Sequence, residues 1–133
     1  MVTLIDTSAW IEFLRGDQGG DLAVRAAVRH LLRDGAALSE PVVMEVLAGA
    51  RSSRHHEQLR ALLATAIHLP VEAEDWADAA LLYRRCRVNG TTVRSMVDCV
   101  IAAVAVRQDV PVLAWDRDFE ALAAHTPMRL AAS

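Results

Sequence analysis

Apolar residues fall along this chain in two alternating rhythms, short unbroken runs and longer stretches at helical spacing. Residues 2–6 form a short apolar run ending in Asp6, which predicts a buried strand. Thr7 and Ser8 follow as cap-type residues, ahead of a helix through Trp10, Ile11 and Leu14 that stops near Gly16. Residues 21–33 carry Leu22, Ala26, Val28, Leu31 and Leu32 at helical spacing, and residues 36–39 read as a short strand. From Pro41 the period turns helical again, with Val42, Val43, Val46, Leu47 and Ala50 on one broad face. A further helix is predicted over 55–66, a strand over 67–69 and a long helix over 72–88. The last third predicts a helix over 95–107, a strand over 110–114, a helix over 118–124 and an edge strand over 128–130.

Short, continuously apolar strands that alternate with helices predict an α/β fold, with a short, mainly parallel central sheet flanked by helices on both faces. The chain has no internal repeat and no long polar linker; residues 16–20 and 89–92 read as turns. Residues 1–133 are therefore read as one domain, of ordinary size for a single core.

Composition narrows the function. With 53% hydrophobic and 23% charged residues the chain is too apolar for disorder. A net charge of -3 means that any nucleic-acid binding must rest on a local basic patch. All 14 basic residues are Arg, which removes every mechanism that needs a catalytic lysine. Cys86 and Cys99 lack metal-ligand spacing and read as reduced, partly buried thiols. No apolar stretch reaches the roughly 18 residues of a membrane span, and the first residues lack a signal-peptide pattern, so the expected location is the cytoplasm.

The acids carry the chemistry. Asp6 closes the first predicted strand, while Asp116 and Asp118 follow the strand over 110–114. In open parallel sheets, ligand sites gather at the carboxyl ends of strands. Asp is also a favoured N-cap, so each of these could instead only cap the next helix. Asp98 is the single charge in the otherwise apolar run from Met96 to Val106. Such a helix is buried, and an ionised carboxylate there needs a partner or a metal. The spacing of Ser95 and Asp98 also resembles a capping box. Glu45 lies at the border of an apolar helix face, where Gly49 one turn on is expected to leave room beside it, although a single Glu is more often a solvated surface residue. Acids that converge without lysines must bind cations or hold shifted pKa values. Such oxygen ligands suit Mg²⁺ or Mn²⁺, and the five scattered histidines offer no zinc spacing. The aromatics are few and helix-spaced, so they read as core rather than as base-stacking platforms.

Four segments together resemble the PIN-domain toxins of the VapC family. The opening Leu4-Ile5-Asp6-Thr7-Ser8-Ala9-Trp10-Ile11 is similar to that family's first motif, and Pro41-Val42-Val43-Met44-Glu45-Val46-Leu47-Ala48-Gly49 to its second. Thr92 to Ala103, with Asp98, resembles the third, and Trp115-Asp116-Arg117-Asp118-Phe119 the fourth. They occur in family order along nearly the whole chain. The resemblance implies a PIN-like fold and an Mg²⁺-dependent endoribonuclease. Asp6, Glu45, Asp98 and Asp116 would form the metal shell, with Asp118 ligating directly or through water. Thr7 and Ser8 would orient the carboxylates, although Thr7 could equally only cap its helix. Arg84, Arg85, Arg87 and Arg94 are the phosphate-contact candidates, needed because an acidic pocket repels RNA, although the cluster on the long helix could equally be a solvated face with intrahelix pairs. The same resemblance implies a cognate antitoxin of the VapB kind and a homodimer.

Other classes fit less well. A receiver-like signalling domain also binds Mg²⁺ through clustered Asp, but its phosphorylation chemistry uses a lysine that this chain lacks. A dehalogenase-type phosphatase wants an Asp-x-Asp at the end of its first strand, whereas here that pattern comes near the end of the chain. A PIN fold used only to bind RNA has no need of the full acid set.

Overall fold

The computed structural model describes residues 2–132. Four parallel strands form the sheet: β1 (Thr3–Ile5), β2 (Ala36–Leu38), β3 (Ile67–His68) and β4 (Val112–Leu113), in the order β3-β2-β1-β4. Leu4 pairs with Ala37 on one side and Val112 on the other. Every residue of β1, β2 and β4 is buried, so both faces of these strands are covered, as their unbroken apolar sequence requires.

Helices α1 (Thr7–Arg15) and α2 (Leu22–Asp34) connect β1 to β2, and α3 (Glu40–Ala48) and α4 (Ser53–Leu63) connect β2 to β3. Helices α5 (Ala73–Val88) and α6 (Met96–Gln108) return the chain to β4, and α7 (Arg117–His125) follows. The chain thus steps outward from β1 through β2 to β3, then crosses back to place β4 on the other side of β1. That reversal between β1 and β4 is a topological switch point, where open α/β sheets form a crevice at the carboxyl ends of the strands.

Helix α6 is the central helix. Residues Cys99 to Ala105 are all buried, as the apolar run predicts, and it packs against α3, α5 and α7. An ion pair fastens it to α5: both oxygens of the fully buried Asp75 take hydrogen bonds from Arg107. None of the described helices is long and apolar enough to cross a membrane.

All the predicted strands come out shorter, the last two most in proportion. Strand β4 begins only at Val112, because Val110 N–H is spent on the carbonyl of Ala105 and Pro111 has no N–H to give. The edge strand expected over 128–130 is a single bridge between Val112 and Leu130, held by bonds from Val112 N–H to Arg129 and from Ala131 N–H to Val112.

Candidate metal centre

The first acid comes from the end of β1. Asp6 N–H donates to the Leu113 carbonyl of β4, which anchors the residue in the sheet, and its side chain caps α1. Oδ2 accepts from Ser8 N–H at 3.0 Å and Ser8 Oγ at 2.6 Å. Oδ1 is buried and has no protein donor. Burial is the largest influence on this carboxyl, and despite the Ser8 and Thr7 hydrogen bonds its pKa is pushed up to about 6.

Ser8 also joins the two strands at the switch point, since its Oγ accepts from Trp115 N–H at 2.8 Å. Just beyond, Asp116 caps α7: its Oδ1 accepts from Asp118 N–H at 2.9 Å. Asp6 and Asp116 thus both cap a helix and line the same cleft. On α3, Glu45 Oε1 accepts from Thr7 Oγ1 at 2.8 Å. Gly49 contributes nothing special to Glu45: a Cβ there would meet only the Val46 carbonyl at 3.5 Å.

Asp98 projects from the first turn of α6. Ser95 makes no side-chain cap bond, so the capping-box alternative is not realised. Asp98 is 8% exposed, and its pKa is pushed up to about 8. Burial is the first cause, followed by the charges of Asp6, Asp116, Asp118 and Glu45. Carboxylate oxygens of Asp98, Asp116 and Asp118 lie within 4.8 Å of one another. All five acids predicted from the sequence line one open cleft of about 340 Å³, with Thr7, Ser8 and Arg94.

Such a constellation can hold a hard cation. An unpartnered buried oxygen on Asp6 and an Asp98 pushed up by burial and by four neighbouring acids leave positive charge wanting, even with Arg94 beside Asp116 and Asp118. Oxygen-only donors of this kind suit Mg²⁺, Mn²⁺ or Ca²⁺.

Known proteins share this sequence pattern and fold. Residues 3–125 match the PIN domain. The chain is 41% identical to the VapC ribonuclease Mb1587 of Mycobacterium bovis and to ribonuclease VapC11 of Mycobacterium tuberculosis, over 96% of each chain. It belongs to the PIN-domain family, in its VapC branch. Among solved structures, the VapBC-5 toxin–antitoxin protein of Mycobacterium tuberculosis superposes with a TM-score of 0.69 at 25% identity, covering 99% of this chain and 98% of that one. DNA-bound VapBC from Salmonella typhimurium has the same fold, with a TM-score of 0.73 at 19% identity and 98% of both chains covered.

The four PIN motifs read from the sequence therefore meet in one cleft, but its flanking cations do not all follow. Arg94 lines the cleft, where its guanidinium pairs with Asp116 at 2.9 Å and Asp118 at 3.4 Å, while its N–H donates to Asp118 at 3.0 Å. Arg84, Arg85 and Arg87 stand exposed on α5 and are not among the residues lining it. Arg87 lies over the Tyr83 ring, 5.6 Å from its centre. Sequence reasoning missed Ile11 and Ser95, which complete the cleft wall. Ile11 follows Thr7 by one helical turn, a spacing that could have signalled it. The PIN-domain thiols are buried, and burial first, then neighbouring Cys86 and acids, pushes Cys99 up to about 12. Neither is poised as a nucleophile.

Proposed function

We propose that this PIN domain is a divalent-metal-dependent endoribonuclease and the toxin of a type II toxin–antitoxin pair. The observation that carries the reading is the convergence of Asp6, Glu45, Asp98, Asp116 and Asp118 on one cleft at the switch point of the sheet. Relatives named ribonucleases, at 41% identity over 96% of the chain, support it.

Asp98, Asp116 and Asp118 would hold the cation with Asp6 and Glu45, and Mg²⁺ is the proposed ion, with Mn²⁺ its natural substitute. A divalent ion supplies Lewis acidity when bound, acidifying a water and offsetting charge on the phosphodiester. The protein's own part is positioning. Ser8 fixes one oxygen of Asp6 and leaves the other free to ligate. Thr7 holds Glu45 in the cleft. Arg94, two-thirds exposed on its side chain, is free to turn from the acids to an incoming phosphate. Arg84, Arg85 and Arg87 extend the cationic surface along α5 for backbone contacts farther from the cut.

Residues 1–133 would act as one domain, in the cytoplasm, as a homodimer held in check by a VapB-like antitoxin. The structures of VapBC-5 and of DNA-bound VapBC support the toxin–antitoxin part of this reading. Incubation with labelled RNA in Mg²⁺ or in EDTA tests the chemistry. Cleavage in Mg²⁺ that disappears in EDTA, and in Asp6→Ala and Asp98→Asn, is expected. RNA that is bound but left intact by the wild-type protein in Mg²⁺ would mean a binding module instead.

A further inference from the structure

Next to the acidic cleft lies a second one, of about 400 Å³, which the metal site does not use. Its lining includes Leu113, Ala114, Trp115, Arg117 and Leu130, and it shares Asp116 with the metal cleft. We propose that this cleft is a nucleobase subsite, in which Trp115 stacks on the base of a nucleotide beside the scissile phosphate. The proposal rests on the ribonuclease reading and names which part of the RNA the protein grips.

Trp115 is 54% exposed and Trp76 61%, whereas Trp10 and Phe119 are fully buried, so the expectation that the aromatics serve as core fails at both exposed tryptophans; of the two, Trp115 lines this cleft. The exposed part of this indole is not spent on the core, and an aromatic surface lining a cleft is one on which a base can stack. Its backbone is held in place. Trp115 N–H donates to Ser8 Oγ, which in turn donates to Asp6 Oδ2 at 2.6 Å, and Asp116 is the next residue. The indole is therefore in fixed register with the acids that would face the phosphate. A base bonded through its sugar to that phosphate has only a short distance to reach.

The cleft's chemistry fits the same occupant. Leu113, Ala114 and Leu130 provide apolar floor, while the exposed Arg117 and Glu120 provide a donor and an acceptor at the rim for polar base edges. Its volume stands near the lower limit of the ~300–1,000 Å³ of small-ligand pockets, suited to a single base. Stacking on an aromatic ring tolerates any base, so the subsite would add affinity more than sequence choice.

The test separates stacking from backbone contact. In the Asp98→Asn background, which leaves RNA uncut, binding of a labelled oligoadenylate is compared with binding of an abasic ribose-phosphate strand of equal length. Trp115→Ala is expected to weaken oligoadenylate binding about 5- to 150-fold and to leave the abasic strand unaffected. Trp115→Phe should recover most of the loss, and Trp76→Ala, at another exposed tryptophan, should change neither. Equal loss on both strands, or no loss on either, overturns the subsite. Wild-type cleavage in Mg²⁺ is assayed alongside: intact cleavage with no Trp115 effect sinks this inference alone, whereas absence of cleavage and binding sinks the ribonuclease reading as well.

Discussion

Thr7 Oγ1 donates a hydrogen bond to Glu45 Oε1 across 2.8 Å, joining the first turn of α1 to the middle of α3. The two residues are 38 positions apart in sequence, and both line the cleft. Thr7→Val keeps the shape and removes the donor. Residues that orient metal-ligating groups typically contribute about 10–100-fold to metal affinity or activity. A loss of that order is expected in the Mn²⁺ affinity of Thr7→Val by calorimetry, with Thr7→Ser close to wild type. Unchanged affinity in Thr7→Val would reduce Thr7 to a packing residue.

The raised pKa values of Asp98 and Asp6 give metal-free protein an inverted pH dependence. Both lie above the ordinary carboxyl value of 3.8, at about 8 and about 6. The folded state therefore binds more protons than the unfolded chain between those values, so stability falls as pH rises. What these groups contribute is fully present below the unfolded pKa and is lost as pH climbs through about 8. Asp75 and Glu40, whose pKa values lie below the ordinary range, act only at lower pH and do not cancel this. In EDTA, Tm should fall between about pH 5 and about pH 9. Asp98→Asn should flatten the fall and raise Tm at neutral pH while abolishing cleavage. Excess Mn²⁺ should raise the wild-type Tm, adding about 2.7 kcal/mol of stability at a hundredfold excess over Kd. A metal-free Tm that rises across this window would contradict the crowded-carboxylate account.

Arg94 competes with the cation for the same two carboxylates. Its guanidinium pairs with Asp116 and Asp118, but its side chain is 67% exposed. Solvent around its exposed guanidinium screens these pairs, so a divalent ion can displace it. Removing the competitor should tighten metal binding, and removing a phosphate partner should loosen RNA. Arg94→Ala is therefore expected to bind Mn²⁺ several-fold more tightly in the absence of RNA, yet to cleave RNA more slowly. Weaker Mn²⁺ binding would show that Arg94 supports the acids through its position in the loop rather than opposing the ion.

How far these features could be read from sequence depended on their range. Asp98 was legible because one charge in an all-apolar helix has few physical explanations. Asp6 and Asp116 were legible because strand ends of a parallel sheet face one crevice. The alternation of strand and helix was legible for the same local reasons, and the helix starts read at 21, 41, 55, 72, 95 and 118 came out within two residues, the largest shift being at α4, where Ser52 caps the helix. Tertiary pairings were not. Nothing near Arg94 in sequence says that its guanidinium meets Asp116, 22 residues on. The Arg84–Arg87 cluster is dense in sequence but stands on an exposed part of α5 outside the cleft lining, because helical rotation, not proximity to a motif, decides where a side chain faces. Trp115 looked like core by type, and its exposure follows from its place at the open end of β4.

The ion pair between Arg107 and Asp75 was equally invisible and concerns stability rather than chemistry. Asp75 is fully buried near the start of α5, where it also accepts from Glu72 N–H at 2.7 Å. Burial alone would push its carboxyl up, but the bonds from Arg107 Nε and Nη2, at 3.0 and 2.9 Å, together with Glu72 hold it below the ordinary range. Arg107 also caps the Pro70 carbonyl at 2.8 Å, so one side chain ties the loop before α5 to the end of α6. Cutting such a pair leaves a buried charge alone, which costs about 3–5 kcal/mol. Arg107→Met should lower unfolding free energy by that amount in urea, and Arg107→Lys should recover only part of it, lacking the two-pronged geometry. The metal cleft shares no residue with this pair, so Mn²⁺ affinity measured well below Tm should stay within about twofold, since sites without shared partners act nearly additively. A coupled loss of metal binding would instead make α6 a mechanical link, with Asp98 at one end answering to Arg107 at the other.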